Sequence, residues 1–222
     1  MKPVSYMKVS LVLATLIVSS AHAQWNVARF DSTKVWTYAT FGLDPAFIGS
    51  VGVSGVIPGR AKIQLGAEFG SVVAAFDLHD WRSRATARLS LIHAGAFRIT
   101  GEDAVVTRGT SNSIYSAFNL GSSTTFTAGA YRRRWFVASE VGFDKAVLTR
   151  ITNSDWYREY YYPDAKNGWY LTPGGTFHAG LTGGVTLGML DISARAGNLR
   201  TERMNSLTPP FYATISAGIG WR

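Results

Sequence analysis

Apolar and polar residues alternate along most of this chain with a period of two, the spacing of a β-strand whose side chains point to opposite faces. The final segment shows it best. Phe211, Ala213, Ile215, Ala217, Ile219 and Trp221 fall on one face, with Tyr212, Thr214, Ser216, Gly218 and Gly220 on the other. Residues 81–99 set Trp81, Ala85, Ala87, Leu89 and Leu91 against Arg82, Arg84, Thr86, Arg88 and Ser90. Residues 61–75 and 175–189 repeat the pattern. It predicts ten strands, at 34–42, 47–57, 61–75, 83–99, 104–118, 123–138, 141–152, 174–188, 190–201 and 209–221. Short turns are expected at Pro58-Gly59-Arg60, Gly101-Glu102-Asp103 and Met189-Leu190-Asp191. The connections on the opposite side are 43–46, 76–82, 119–122, 153–173 and 202–208. Eight strands is the alternative count, because Pro45 must lie at a strand edge or in a turn. Blurred alternation in 104–118 and 141–152 points to a bulge or a shifted boundary there.

Alternation alone fits two architectures. A soluble sandwich or lipocalin-like barrel points the apolar face inward, as a periplasmic binding barrel would. A transmembrane barrel points it outward to lipid and keeps the small and polar face for the lumen. The start of the chain bears on the choice. Residues 1–23 carry Lys2 and Lys8, an apolar core from Val9 to Val18 and an Ala21-His22-Ala23 end, the three parts of a cleavable secretory signal. The mature chain is then 24–222. After residue 23 the longest apolar run is Val72 to Phe76, far short of the roughly 20 residues of a spanning helix. Aromatics sit near the ends of the apolar faces, as interfacial girdles require, and the opposite faces mix Gly, Ser and Thr with Arg and Glu.

On these features residues 24–222 resemble the small outer-membrane β-barrels of Gram-negative bacteria. The resemblance is architectural and rests on the signal, the repeated strands and the aromatic end Phe211–Trp221, although Arg222 follows where such chains usually stop at the aromatic. It implies an all-β, transmembrane, antiparallel up-and-down β-barrel in the outer membrane. Its partners would be membrane lipid and lipopolysaccharide, and the assembly machinery would read the last strand.

Composition changes this picture in three places. Charged residues are 16% of the chain, against about 25% in ordinary soluble domains. The absence of cysteine excludes disulfides and thiolate metal sites. Removing Lys2 and Lys8, with no acid in the same segment, lowers the formal charge from +8 to +6. That excess is spread widely on an exported chain, so the run Arg132-Arg133-Arg134 does not read as a nucleic-acid site. Alternation within a strand sends Arg133 to one face and its neighbours to the other, so that one side must snorkel to a headgroup zone; the run reads as a lipid-phosphate contact or as a solvated strand end.

Three groups of residues carry candidate chemistry. Lys62, Glu68, Arg84, Arg88, His178, Asp191 and Arg195 would point into the lumen, with Glu68 near Arg88 across a hairpin. They read as a plugging network or as a cationic constriction for anions; the small bore of such a barrel favours the plug. The connection 153–173 holds Trp156, Tyr157, Arg158, Tyr160, Tyr161, Tyr162 and Trp169, residues suited to an outward surface for glycan, lipopolysaccharide or protein. Asn167-Gly168 is a turn signal that would close a hairpin within it. Asp77, His79 and Asp80 are weak candidates for a hydrolase at the outer rim, without a G-x-S-x-G nucleophile motif to match. The four histidines are scattered and no H-E-x-x-H spacing occurs, so the sequence points to no metal and no cofactor. The expectation is a non-enzymatic barrel.

Overall fold

A computed structural model describes residues 24–44, 46–59, 62–73 and 79–222. The signal segment 1–23 and Asp77 lie outside them. The chain enters through a short 3-10 turn at Val27–Arg29 and then forms β1 (Val35–Leu43), β2 (Phe47–Ile57), β3 (Ile63–Val72), β4 (Trp81–Ala94), β5 (Phe97–Ser111), β6 (Tyr115–Arg132) and β7 (Trp135–Asn153). A one-turn helix, α1 (Asp155–Tyr160), and a short strand, β8 (Gly168–Leu171), precede β9 (Thr176–Leu187), β10 (Leu190–Thr201) and β11 (Ser206–Trp221). Ten of these strands close into an antiparallel barrel. Neighbours in sequence are neighbours in the sheet except at two places. β8 pairs only with the far end of β7, from Leu148↔Leu171 to Ile151↔Gly168, so β7 continues to β9. Closure comes from β1 and β11, paired from Val35↔Trp221 to Leu43↔Ala213. It leaves none of the ten strands with a free edge.

Both ends of the barrel wall, Val35 and Trp221, meet at one rim, here called the terminal rim; the opposite one is the loop rim. The β4–β5, β6–β7 and β9–β10 turns at the terminal rim are tight. Gly95 (φ 62°) and Gly188 (φ 66°) take left-handed backbone between β4 and β5 and between β9 and β10. The expected turn at 101–103 is not formed. Ala94-Gly95-Ala96 supplies the reversal instead, and Gly101, Glu102 and Asp103 stay in β5 opposite Leu89, Arg88 and Ala87. The expected connection at 119–122 also lies inside a strand: a register shift between Leu120 and Gly121 is the bulge that blurred the alternation. The real reversal is at 112–114, where the Asn112 side chain accepts from the backbone N–H of Ile114 and Tyr115. Arg133 and Arg134 likewise form the turn between β6 and β7 rather than strand.

The faces sort as they do in β11, where Phe211, Ile215, Ile219 and Trp221 are exposed and Tyr212, Thr214 and Ser216 are buried. Val51, Val53, Leu65, Val105, Phe126, Val141 and Leu181 are exposed on other strands. The polarity of a soluble barrel is thus inverted. Apolar side chains cover the outside and polar ones fill the inside, contrary to the lipocalin-like alternative.

Candidate functional site

The interior is built from inward positions of nearly every strand. Five arginines are buried there: Arg82, Arg84 and Arg88 from β4, Arg108 from β5 and Arg195 from β10. Six carboxylates are buried with them, namely Asp44, Glu68, Glu102, Glu140, Asp144 and Asp191. Arg29, from the 3-10 turn, pairs with Asp191 and brings the arginines to six. The set is balanced in charge, not cationic.

The pairs interlock. Arg108 donates through one nitrogen to both oxygens of Asp144 at 2.7 Å. Asn119 extends that pair through Thr149, at 2.8 Å, to Thr172. Arg195 grips Glu140 through Nε at 3.0 Å and Nη2 at 2.7 Å. The Tyr212 hydroxyl also donates to Glu140, Gln24 donates to its second oxygen at 3.1 Å, and the Arg195 guanidinium lies 5.3 Å from the Tyr212 ring centre. Glu102 accepts from Arg88 and stands 3.6 Å from Arg84. Arg82 lies 3.9 Å from both Asp44 and Glu68. Burial of a charge is tolerable only when it is paired and hydrogen-bonded in this way.

The sequence-based lumen set is therefore brought together in part. Glu68, Arg84, Arg88, His178, Asp191 and Arg195 are all buried inside. Lys62 is not: it sits beyond the end of β3, half exposed, and pairs with Asp31. Glu68 lies opposite Arg84 in the register rather than opposite Arg88, whose partner is Glu102. His178 shares a hydrogen-bond distance of 3.3 Å with Thr125 and meets Tyr212 edge-on. Sequence reasoning missed Glu102, assigned to the turn at 101–103, Glu140, left in the gap between the strands expected at 123–138 and 141–152, and Arg108 and Asp144, which lie in the two segments of blurred alternation. The spacing of Glu140 and Asp144, an even number apart, was the available signal.

Nearer the terminal rim the lumen is filled differently. Residues 24–33 turn inward and plug it. Trp25, Val27 and Phe30 are buried with Trp36, Tyr131 and Phe136 in one apolar cluster. Trp25 meets Tyr38 edge-on at 5.1 Å and Phe30 meets Trp36 at 6.0 Å. The polar groups of the plug find fixed partners: Asn26 donates to the carbonyl of Arg132 at 2.5 Å, and Arg98 donates to that of Val27 at 3.0 Å. Asp191 accepts from the Trp36 indole at 2.9 Å as well as from Arg29.

At the loop rim the aromatic connection divides in two. Ser154 caps α1 by accepting from the Tyr157 N–H at 3.1 Å. On the helix Trp156 packs on Tyr161 at 4.9 Å, while Tyr157 stacks on Tyr161 at 6.3 Å. Tyr160, Tyr161 and Tyr162 remain exposed, and Arg158 pairs with Asp155 beside them. Trp169 does not join this group. It lies on β8 and meets Phe118 edge-on, continuing an outward row through Trp81 to Phe69. Gly109 makes the row continuous, since a Cβ there would come within 2.3 Å of the Trp81 indole nitrogen. Asn167 does not turn a tight hairpin; it accepts from the Asn153 N–H at 2.8 Å and closes the longer segment that contains α1.

His79 lines a groove of about 420 Å³ at this rim with Trp81, Ser111, Ser116, Phe118 and Arg150. The Asp80 carboxylate accepts from Thr110. Among the described residues no three His, Asp or Glu side chains gather as metal ligands. Comparison of the chain with protein-family models finds no match, and comparison with curated proteins finds none either.

Proposed function

We propose that this protein is a non-enzymatic barrel of the outer membrane, plugged along its lumen, that presents the aromatic surface of α1 outward. The observation that carries the reading is the inverted polarity: apolar side chains outside, ion pairs inside. Exposing so many Val, Leu, Ile and Phe to water is costly, at about 25 cal/mol for each Å² of apolar surface, and lipid removes that cost. The aromatic row at the loop rim supports the same reading, because membrane barrels flank their apolar band with aromatic girdles in which Trp sits at the headgroup level. In this arrangement residues 1–23 are the export signal, and β11 with its Trp221 end is the element read by the assembly machinery. Lipid and lipopolysaccharide surround the barrel. Trp156, Tyr157, Arg158, Tyr160, Tyr161 and Tyr162 form the surface for a glycan or protein ligand.

Among the non-enzymatic readings, the plug is favoured over a narrow channel by the balance of the lumen charges and by residues 24–33. An anion entering would have to displace a carboxylate from its arginine, and breaking such a pair costs about 3–5 kcal/mol. Membrane fractionation of a Gram-negative host tests the location. The protein is expected in the outer-membrane fraction, running faster on gels unheated than boiled. Recovery in the soluble periplasm would overturn the reading.

A second reading attaches to the rim groove, which His79 lines together with Ser111 and Ser116. It makes the protein a hydrolase of membrane lipid. Loss of lipid hydrolysis by purified protein on His79→Ala would favour it; the non-enzymatic reading expects no hydrolysis to lose.

A further inference from the structure

At the terminal rim four pieces of chain converge on one cavity of about 310 Å³, one of them the β9–β10 reversal with Thr186 and Gly188. The turn between β6 and β7 contributes Arg133 and Arg134, the residue after β11 contributes Arg222, and the plug contributes Arg29. Backbone bonds hold the pieces in place. The Thr186 N–H donates to the Arg134 carbonyl at 2.8 Å, and the Gly220 N–H donates to the Met189 carbonyl at 2.8 Å. The Arg29 guanidinium reaches the Gly188 carbonyl at 3.3 Å and Asp191. Asp191 is fully engaged, accepting also from Trp36 and Thr186. Arg133, Arg134 and Arg222 have no side-chain carboxylate partner among the described residues. The contrast is with the five buried arginines of the strands, each of which meets an acid, whereas these three have no side-chain carboxylate partner among the described residues.

Like charges held together repel, and the arrangement is stable in proportion to the anion it receives. Guanidinium forks match the oxygens of a phosphate in geometry and charge. Arg29 uses two of its nitrogens on the protein and keeps further donors for a ligand. We propose that this cavity binds a phosphate group, and that the bound phosphate fastens the plug to the barrel rim. The second part follows from where the arginines come from. Arg29 belongs to the plug, while the other three belong to the wall, so one anion contacting both bridges them. A ligand that binds only the plugged form stabilises it by mass action. The phosphate can belong to a free phosphate compound or to a lipid headgroup of the adjoining leaflet. This inference does not depend on the barrel crossing a membrane, since the cavity is the same in a soluble barrel.

The test uses the mature chain folded in a zwitterionic detergent. Inorganic pyrophosphate is titrated by calorimetry, and phosphatidylglycerol retention is measured by native mass spectrometry. At least one probe is expected to bind saturably, and R133A/R134A is expected to weaken it by at least about tenfold. Arg203→Ala, at the loop rim, is expected to leave it unchanged. Binding of pyrophosphate alone assigns a free phosphate compound; binding of the lipid alone assigns the headgroup; both outcomes uphold the site. Retained heat-modifiable mobility of R133A/R134A shows that the barrel still folds. For the fastening, hydrogen exchange of residues 26–30 is expected to slow on adding the bound probe to wild type and not to R133A/R134A. Absence of saturable binding by either probe, or binding that survives R133A/R134A, overturns the site. Binding without any slowing of exchange overturns the fastening.

Discussion

Around Glu140 the lumen is filled by side chains that the strands themselves carry, whereas near the terminal rim it is filled by a separate piece of chain. The first region is a network of ion pairs: Arg195 and Tyr212 converge on the Glu140 carboxylate, and only Gln24, at the start of the plug, reaches it from outside the strands. The second is a small apolar core around Trp25, Val27, Phe30 and Trp36. The difference lies in what each filling costs to remove. A strand-borne network is part of the wall, so breaking it leaves buried charges with no escape. The plug is tied to the wall by packing, hydrogen bonds and the Arg29–Asp191 pair, and none of the ten strands needs it for its pairing.

Removing the hub should therefore have the largest effect. Glu140→Ala strands Arg195 inside the barrel and is expected to lower stability by about 3–5 kcal/mol. Urea titration followed by heat-modifiable mobility would read this as an earlier midpoint. Replacing both partners, in E140L/R195L, should recover most of the loss, because apolar side chains of similar volume can substitute for a buried pair. If the double variant is as weak as the single one, the ion pair is not what fills this region.

Trp25→Ala attacks the other filling. Truncating a buried tryptophan costs about 3–5 kcal/mol, but here the loss falls on docking of the plug. The urea midpoint should move far less than in Glu140→Ala. Hydrogen exchange of residues 26–30 should accelerate, and planar-bilayer current is expected from neither the wild type nor this variant, because the ion-pair network still fills the rest of the lumen. A midpoint shift as large as that of Glu140→Ala would show that plug and wall unfold together. The smallest effect belongs to neither filling. Ser154→Ala removes the cap of α1 at about 1 kcal/mol, which should increase protease cleavage in 155–162 and leave the midpoint unchanged. A shifted midpoint would tie the outer loop to the barrel's own stability.

The two fillings also differ in how far they could be read from sequence. Strand-borne residues announce themselves by period, so Glu68, Arg84, Arg88 and Arg195 were legible wherever the strand boundaries were right. Glu102 was lost because a Gly-Glu-Asp run resembles a turn, and only the pairing of β4 with β5 shows that Gly95 makes the reversal. Glu140 was lost because the strand expected at 123–138 runs through the real turn at Arg133-Arg134, and Arg108 and Asp144 lay in segments of blurred alternation, the second of which holds the β7 side of the bulge opposite Leu120/Gly121. The plug has no period. Trp25, Val27 and Phe30 are apolar residues in a segment that precedes the first strand, and nothing local says that they fold back inside. Lys62 failed for the opposite reason: it keeps the polar parity of β3 but lies past the strand's end, where parity no longer fixes direction. Of the aromatic connection, composition marked the surface, yet only β8 separates Trp169, which joins the outer row, from the residues of α1.

The central claim is that the apolar outside of this barrel faces lipid. The chain has no cysteine, so single cysteines can be placed along β11 from Tyr212 to Ile219 and labelled with a nitroxide after reconstitution in bilayers. The account predicts that labels at 213, 215, 217 and 219 collide with dissolved oxygen, while those at 212, 214, 216 and 218 are reached by neither oxygen nor a water-soluble nickel complex. Labels at 213–219 that are open to the nickel complex on the odd positions would contradict it.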